Sequence, residues 1–387
     1  MRYALTAAAL LTPTERLENA VLVMEDGVID AVGTRTEIAI TQSMNQVDFG
    51  DAVLAPGFID MHIHGAAGHD VMEGTSDALA AVETLLARHG VTSYCPTTVT
   101  APLDKTLASL ERLGNAVKDA KSQKRQMRAI PLGIHLEGPF ISTVKCGVHP
   151  LADITPPSTS LYKKLWDASQ GMVKVLTIAP ELDGAQEVIT MASRQNVCVS
   201  VGHSNALAEE TRAAILAGAA HVTHTFNAMR PLDHREPGIL GVALSDSRLT
   251  ADIIADGVHI APEVLRLFLA AKGDERAVLI SDGISATGMG DGKFMLGTFE
   301  VEVIGMECRA GGRLAGSVLT LDCAVRNVMQ FANWKLERAV RLATINPARA
   351  LGIADRKGSL AVGKDADIVV LSTKGDVRQT IIGGVLA

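Results

Sequence analysis

The stretch "FIDMHIHG", residues 58–65, sets His62 and His64 one residue apart at the end of an apolar run. Phe58, Ile59, Met61 and Ile63 read as a buried strand, and alternation along a strand sends both imidazoles to one face. Two rings on one face, followed by Gly65, can grip a divalent ion. The alternative is a hydrogen-bonded pair of core histidines. Further residues of metal-ligand type stand at Glu137 in "HLEGP", His203 in "GHSNA", His224 in "THTFNAM" and Asp282 in "SDG". Each alone has a plain explanation as a core histidine, a helix cap or a surface acid. Their chemistry depends on the elements that carry them.

Eight short β-branched runs alternate with helical ones: 58–64, 91–97, 129–135, 173–179, 197–203, 221–226, 251–256 and 277–282. Helical periodicity fills gaps such as "SDALAAVETLLARHG", with Gly90 as a stop, and "ALAEETRAAILAGA". Eight such units over about 225 residues predict a (β/α)8 TIM barrel. Working residues of a barrel sit at the C-terminal ends of its strands. His62 and His64 end the first run, Glu137 follows the third, His203 ends the fifth, His224 the sixth and Asp282 the eighth. Six metal-type ligands at matching ends of five strands are hard to dismiss as separate core features.

The flanks read as β structure. "AVLVMEDGVIDAVG" holds Asp26 and Gly27 between two apolar stretches, a hairpin signal. "KGSLAVGKDADIVVLSTKGDVRQTIIGG" returns to short strands and glycine turns. The expected organisation is a small β domain built from residues 1–55 and 351–387, with the barrel over 56–350 between them. Residues 291–315 are also strand-rich and fall in the loop after the eighth barrel strand.

The bulk numbers suit an enzyme with a large aliphatic core: 47% apolar, 20% charged and only 3% aromatic residues. A net charge of −7, without a basic stretch, argues against nucleic acid as a partner. No run of about 18 apolar residues predicts a membrane span. The start, "MRYALTAAALLTPTE", reads better as a strand than as a secretion signal. Cys95, Cys146, Cys198, Cys308 and Cys323 form no CxxC pair, which fits a reducing cytoplasm rather than a disulfide framework.

"PGFIDMHIHG", "GIHLEGPF", "KCGVHP", "SVGHSNA", "HVTHTFNAM", "REPGILG", "ADGVH", "SDG", "LAGSVLT" and "GSLAVGKDADIVVL" run in order from residue 56 to 371. On these stretches the sequence resembles the amidohydrolase superfamily, and within it the branch that deacetylates amino-sugar phosphates. "HLEGP", "GHSNA" and "THTFNAM" together carry the likeness to that branch, whereas "PGFIDMHIH" and "GKDADIVVL" mark only the superfamily. The resemblance implies a TIM barrel of the amidohydrolase type with a small β-sandwich domain from both termini. It implies hydrolysis of the acetamide of N-acetyl-D-glucosamine 6-phosphate, with one or two divalent ions, zinc or iron.

By the same resemblance His203, His224 and Glu137 hold one ion. His62 and His64 hold a second, with Glu137 bridging and Asp282 completing that side. Asp282 is then general base and later acid, and His149 steadies the oxyanion beside Val148. Asn227 and Ala228 contact the sugar phosphate, Arg235 and His259 suit its phosphate, and Leu314, Ala315, Gly316 and Ser317 line the sugar pocket. Arg235 can act from a neighbouring subunit, implying a homodimer; a surface ion pair with Glu236 is the alternative. Cys146 stands where relatives often carry a basic residue. His69, His89, His221 and His234 are expected to make ordinary hydrogen bonds or to cap a helix. Rival readings are an N-acetylgalactosamine-6-phosphate deacetylase and a D-aminoacylase-like or dihydroorotase-like enzyme, whose metals are bridged by a modified Lys or a Cys. A silent binding homologue would have lost ligands, and none is lost.

Overall fold

The N-terminal residues form strands, as their β-branched and apolar alternation predicts: β1 (Arg2–Leu11), β2 (Arg16–Glu25), β3 (Val28–Thr34), β4 (Asn45–Asp48) and β5 (Val53–Pro56). The computed structural model describes residues 1–12, 14–122 and 127–386. Asp26 (φ 47°) and Gly27 (φ 82°) turn β2 into β3, both left-handed as a two-residue hairpin demands. Eight barrel strands follow: β6 (Phe58–Ile63), β7 (Val91–Thr98), β8 (Ile134–Glu137), β9 (Val173–Ile178), β10 (Cys198–Val201), β11 (His221–Val222), β12 (Ala251–Ile254) and β13 (Ala277–Ile280). An antiparallel sheet comes next, β14 (Gly292–Leu296), β15 (Phe299–Ile304), β16 (Glu307–Ala310) and β17 (Arg313–Leu314). The chain closes on β18 (Ile368–Leu371) and β19 (Val377–Ile381).

Both ends of the chain enter one seven-stranded sheet, in the order β19-β18-β5-β1-β2-β3, with β4 beside β1. The junction is antiparallel, Leu54 facing Val370. Leu5, Leu22, Leu54, Ile368 and Val370 are buried together in a core of this sheet's own.

The barrel strands pair in parallel, and β6 and β7 are buried at every residue, as a sheet covered on both faces requires. The ring closes where Asp282 N donates to His62 O at 3.0 Å and His64 N to Gly283 O at 2.8 Å. Helices pack outside it, among them α1 (Ser76–Arg88) and α2 (Leu103–Ser122), and the aliphatic core lies between helices and barrel.

Two strands depart furthest from their expected limits, each for a local reason. The third was expected over 129–135. Pairing with β7 stops after Ile130–Pro131, and β8 resumes at Ile134, where Ile134 N bonds Met172 O at 2.8 Å. Gly133 lets the chain pass here, since a Cβ on it would lie 2.6 Å from Lys174 Cβ. Glu137 is therefore the last residue of its strand rather than beyond it. The sixth strand, expected over 221–226, pairs only at His221–Val222. Past it His224 (φ 28°), Phe226 (φ 80°) and Ala228 (φ 50°) are left-handed and cannot continue a strand.

The β14–β17 sheet covers the barrel mouth. Leu296, Val301, Val303 and Cys308 pack on Ile284 and Ala315. Two ties hold it down: Arg313 donates to Gly147 O at 3.1 Å, and Gly297 N donates to Asp70 at 2.6 Å.

Candidate active site

At the C-terminal ends of β6, β10 and β11 and in the loop after β8, five histidines converge on Glu137, the last residue of β8. Its Oε1 lies 3.0 Å from His224 Nε2, 3.1 Å from His203 Nε2 and 3.5 Å from His62 Nε2. Its Oε2 lies 3.2 Å from His64 Nε2 and 3.5 Å from His149 Nε2. Asp282 Oδ1 reaches His64 Nε2 at 3.2 Å and His62 Nε2 at 3.4 Å. All are buried. Strand alternation accounts for His62 and His64, whose Nε2 atoms are 3.2 Å apart on one side of β6.

The second nitrogen of each ring decides what the first can do. His203 Nδ1 donates to Lys145 O at 3.0 Å, and His64 Nδ1 to Thr97 O at 3.1 Å. Each therefore turns an Nε2 lone pair toward the carboxylates when neutral. His149 is the reverse. The backbone N–H of Thr100 donates to His149 Nδ1 at 3.2 Å, and the Thr100 hydroxyl lies 2.8 Å away. With Nδ1 accepting, His149 carries its proton on Nε2 and presents a donor. It belongs to a different class from its neighbours, although it lies close enough to group with Glu137 and His203.

The charges fit a cation at this centre. Burial opposes charge on Glu137, but His62 and the hydrogen bonds of His149, His203 and His224 hold its carboxyl well below the usual range. Burial also opposes charge on Asp282, and His62 and His64 overcome it. Burial would keep His224 neutral, yet Glu137 raises it to about 9; His203 stays neutral, burial lowering it to about 4. Lone pairs and carboxylates crowd at 3.0–3.5 Å, the spacing of atoms that share an ion about 2.0–2.2 Å from each. Two donor sets result, His62/His64/Asp282 and His203/His224/Glu137, with Glu137 between them.

Above the cluster opens a cavity of about 230 Å³. Of the expected substrate residues, Val148, His149, Asn227, Ala228, His259, Leu314 and Gly316 are on its wall. Asn227 Nδ2 is buried there without a hydrogen-bond partner, so a ligand acceptor could satisfy it. His259 Nδ1 is 2.7 Å from Asp256 Oδ2 and both backbone N–H groups of Val258 and His259 donate to Asp256, which fixes the ring.

Three expected residues lie off this wall. Ala315 is buried in the covering sheet's core. Ser317 acts from behind, its N–H donating to Asp282 O at 2.7 Å. Arg235 is exposed on the segment 231–235. Glu236, its alternative ion partner, instead accepts from Ala208 N at 2.9 Å and Gly238 N at 3.2 Å. Cys146 is buried beside Gly147, with Sγ 3.7 Å from Gly147 O.

Of the histidines given no role, His69 contacts Glu73 at 3.3 Å, His89 contacts Asp322 at 3.0 Å and His221 contacts Asp252 at 2.9 Å; His234 is exposed. Four participants carried no expectation from the sequence. His135 is buried under His62, ring centroids 4.5 Å apart, with Nε2 2.8 Å from Thr177 Oγ1. Thr100 sets the His149 tautomer, and Val99 and Leu296 give the cavity apolar wall. His135 had a signal, its place two residues before Glu137 on one strand face; the others had none.

The amidohydrolase family model matches residues 53–387. N-acetylglucosamine-6-phosphate deacetylase of Bacillus subtilis (strain 168) is 36% identical over 381 residues, 98% of this chain and 95% of that protein. N-acetylgalactosamine-6-phosphate deacetylase of Escherichia coli O157:H7 is 38% identical over 388 residues, the whole of both. Among solved structures, a mutant of N-acetyl-D-glucosamine-6-phosphate deacetylase from Mycobacterium smegmatis, in complex with N-acetyl-D-glucosamine-6-phosphate, superposes with a TM-score of 0.92 at 36% identity. It covers 100% of this chain and 99% of that one. With a histidine and carboxylate cluster at the mouth of a parallel barrel and likeness along its whole length, this chain belongs to the amidohydrolase family.

Proposed function

We propose that the chain hydrolyses the acetamide of N-acetyl-D-glucosamine 6-phosphate, giving D-glucosamine 6-phosphate and acetate. The observation that carries this is the Glu137-centred cluster beneath a cavity of about 230 Å³, in a chain similar over its full length to enzymes of that name. A second reading, the galactosamine epimer, is supported by the 38% identity to the Escherichia coli enzyme.

His203, His224 and Glu137 would hold one divalent ion, zinc or iron, and His62, His64 and Asp282 a second with Glu137 facing both. When bound, such an ion polarises a carbonyl and lowers the pKa of water towards ~7. His149 donates its Nε2–H to the acetamide oxygen as negative charge develops there. Asp282 takes the proton of the attacking water and returns it to the leaving amine nitrogen. Asn227 and Ala228 hold the sugar, against the wall of Val148, Leu314 and Gly316 with Ala315 and Ser317 behind. His259, steadied by Asp256, takes the phosphate. Arg235 would reach a phosphate only from the second chain of a homodimer, since on its own chain it lies off the cavity wall.

The same reading takes residues 56–350 as the hydrolase domain and 1–55 with 351–387 as one small β domain. Cytoplasmic location is supported by five cysteines, all free and four of them buried. Among the described residues no helix is long and apolar enough to cross a membrane. The test is acetate release from both epimers, with and without phosphate.

A further inference from the structure

The rings of the cluster are not oriented alike. His203 and His64 are aimed through Nδ1, which bonds a backbone carbonyl in each. His62 is wedged edge-on against His135. His224 lacks the backbone bond: its ring meets His203 edge-on, centroids 4.7 Å apart, but its Nδ1 is buried without a partner, and its backbone is left-handed at φ 28°. A non-glycine residue holds such a conformation only where its surroundings dictate it.

At His224 that surrounding is Asp252. The backbone N–H of His224 donates to Asp252 Oδ1 in a short hydrogen bond, and Thr225 N donates to Asp252 O at 2.9 Å. The second carboxylate oxygen accepts from His221 Nε2 at 2.9 Å, and His221 Nδ1 lies 2.6 Å from the Thr250 hydroxyl. His221 and Asp252 are both essentially fully buried, on neighbouring strands β11 and β12. Neither is on the cavity wall.

We infer that His221 and Asp252 are positioning residues: together they clamp the turn that carries His224 and so set the direction of its Nε2. The chain runs Thr250, His221, Asp252, His224, with one hydrogen bond at each step. His221 holds the carboxylate in the plane that meets the His224 N–H, and the carboxylate fixes the backbone from which the ring projects. The inference rests on the reading of His224 as a metal ligand, and not on which amide is cleaved.

The test is zinc binding to the full chain, measured by competition with a coloured chelator beside thermal unfolding of the metal-free protein. Asp252→Asn offers one acceptor in place of two, and its affinity for zinc should fall about 10- to 100-fold, the usual scale for a partner behind a ligand. His221→Gln keeps a donor toward Asp252 and should stay within a few-fold of wild type, whereas His221→Leu should lose affinity as Asp252→Asn does. If the two His221 variants bind zinc equally well while differing in thermal midpoint, the pair is merely structural and the inference fails. Wild-type affinity in Asp252→Asn would also overturn it. Should Asp252→Asn not fold, the His221 pair decides alone. A wild-type chain that binds zinc yet releases no acetate would defeat the deacetylase reading and leave this one standing.

Discussion

Thr100 holds His149 as a donor: the Thr100 N–H points at His149 Nδ1 from 3.2 Å, so the Nε2 proton faces Glu137 and the cavity. A ligand of the ion would need a lone pair at that atom. His149→Ala should therefore lower kcat about 100- to 1,000-fold, the scale of a lost oxyanion donor, while the metal content of the purified chain stays unchanged. Elemental analysis beside steady-state kinetics checks it; loss of metal would make His149 a ligand.

Metal stoichiometry separates the two donor sets. His203 and His224 with Glu137 make a sufficient site by themselves, so His203→Ala should abolish tight binding. The double variant His62→Gln, His64→Asn should keep one ion per chain where wild type, loaded with zinc, holds two. Two ions in the double variant would remove the HxH pair from the second site.

Asp282 lies within 3.2–3.4 Å of both HxH rings, and its backbone is held by His62 O on one side and Ser317 N on the other. Asp282→Asn keeps an oxygen in place but cannot carry a proton. Turnover should fall at least about 100-fold and stay low with excess metal. Recovery on reloading, with the original pH profile, would leave Asp282 as a ligand only.

Away from the site, Glu83 gives a pH signature in stability. Its side chain is 13% exposed, with Tyr94 donating to Oε1 at 3.1 Å and Arg128 3.9 Å from Oε2. Burial raises its pKa from 4.5 to about 7, against the pull of Arg128 and Tyr94. Below pH 4.5 the carboxyl is neutral in folded and unfolded chains alike. As pH rises toward about 7 it ionises first in the unfolded chain, so this group's contribution to stability is lost across that window. Glu83→Gln removes the loss. Urea unfolding of both proteins should show the variant gaining about 2 kcal/mol on wild type between pH 5 and pH 8. An equal difference at both pH values would show that Glu83 is not shifted.

Barrel and terminal sheet were legible because period-2 runs and glycine stops record burial locally. The ends of strands were less so: Glu137 is a strand residue because the chain breaks near Gly133, where a Cβ would run into Lys174 and Met172 of the neighbouring segment. His62 and His64 could be placed by alternation alone. The donor character of His149 could not, since it depends on Thr100, 49 residues away. Asp252 was equally hidden. Its partner His221 looks like any core histidine until the fold sets the two side by side across β11 and β12. Arg235 shows the converse: a cation in a recognisable motif that its own fold leaves in solvent.

Acetate release reads out the substrate directly. Purified chain loaded with zinc is offered N-acetylglucosamine 6-phosphate, N-acetylgalactosamine 6-phosphate and the two unphosphorylated sugars. Acetate should come from a 6-phosphate, fastest from the glucosamine form, with kcat/KM at least about 100-fold lower once the phosphate is removed, the scale of one lost charged contact of about 3 kcal/mol. Equal rates on all four sugars, or none on any, would contradict it.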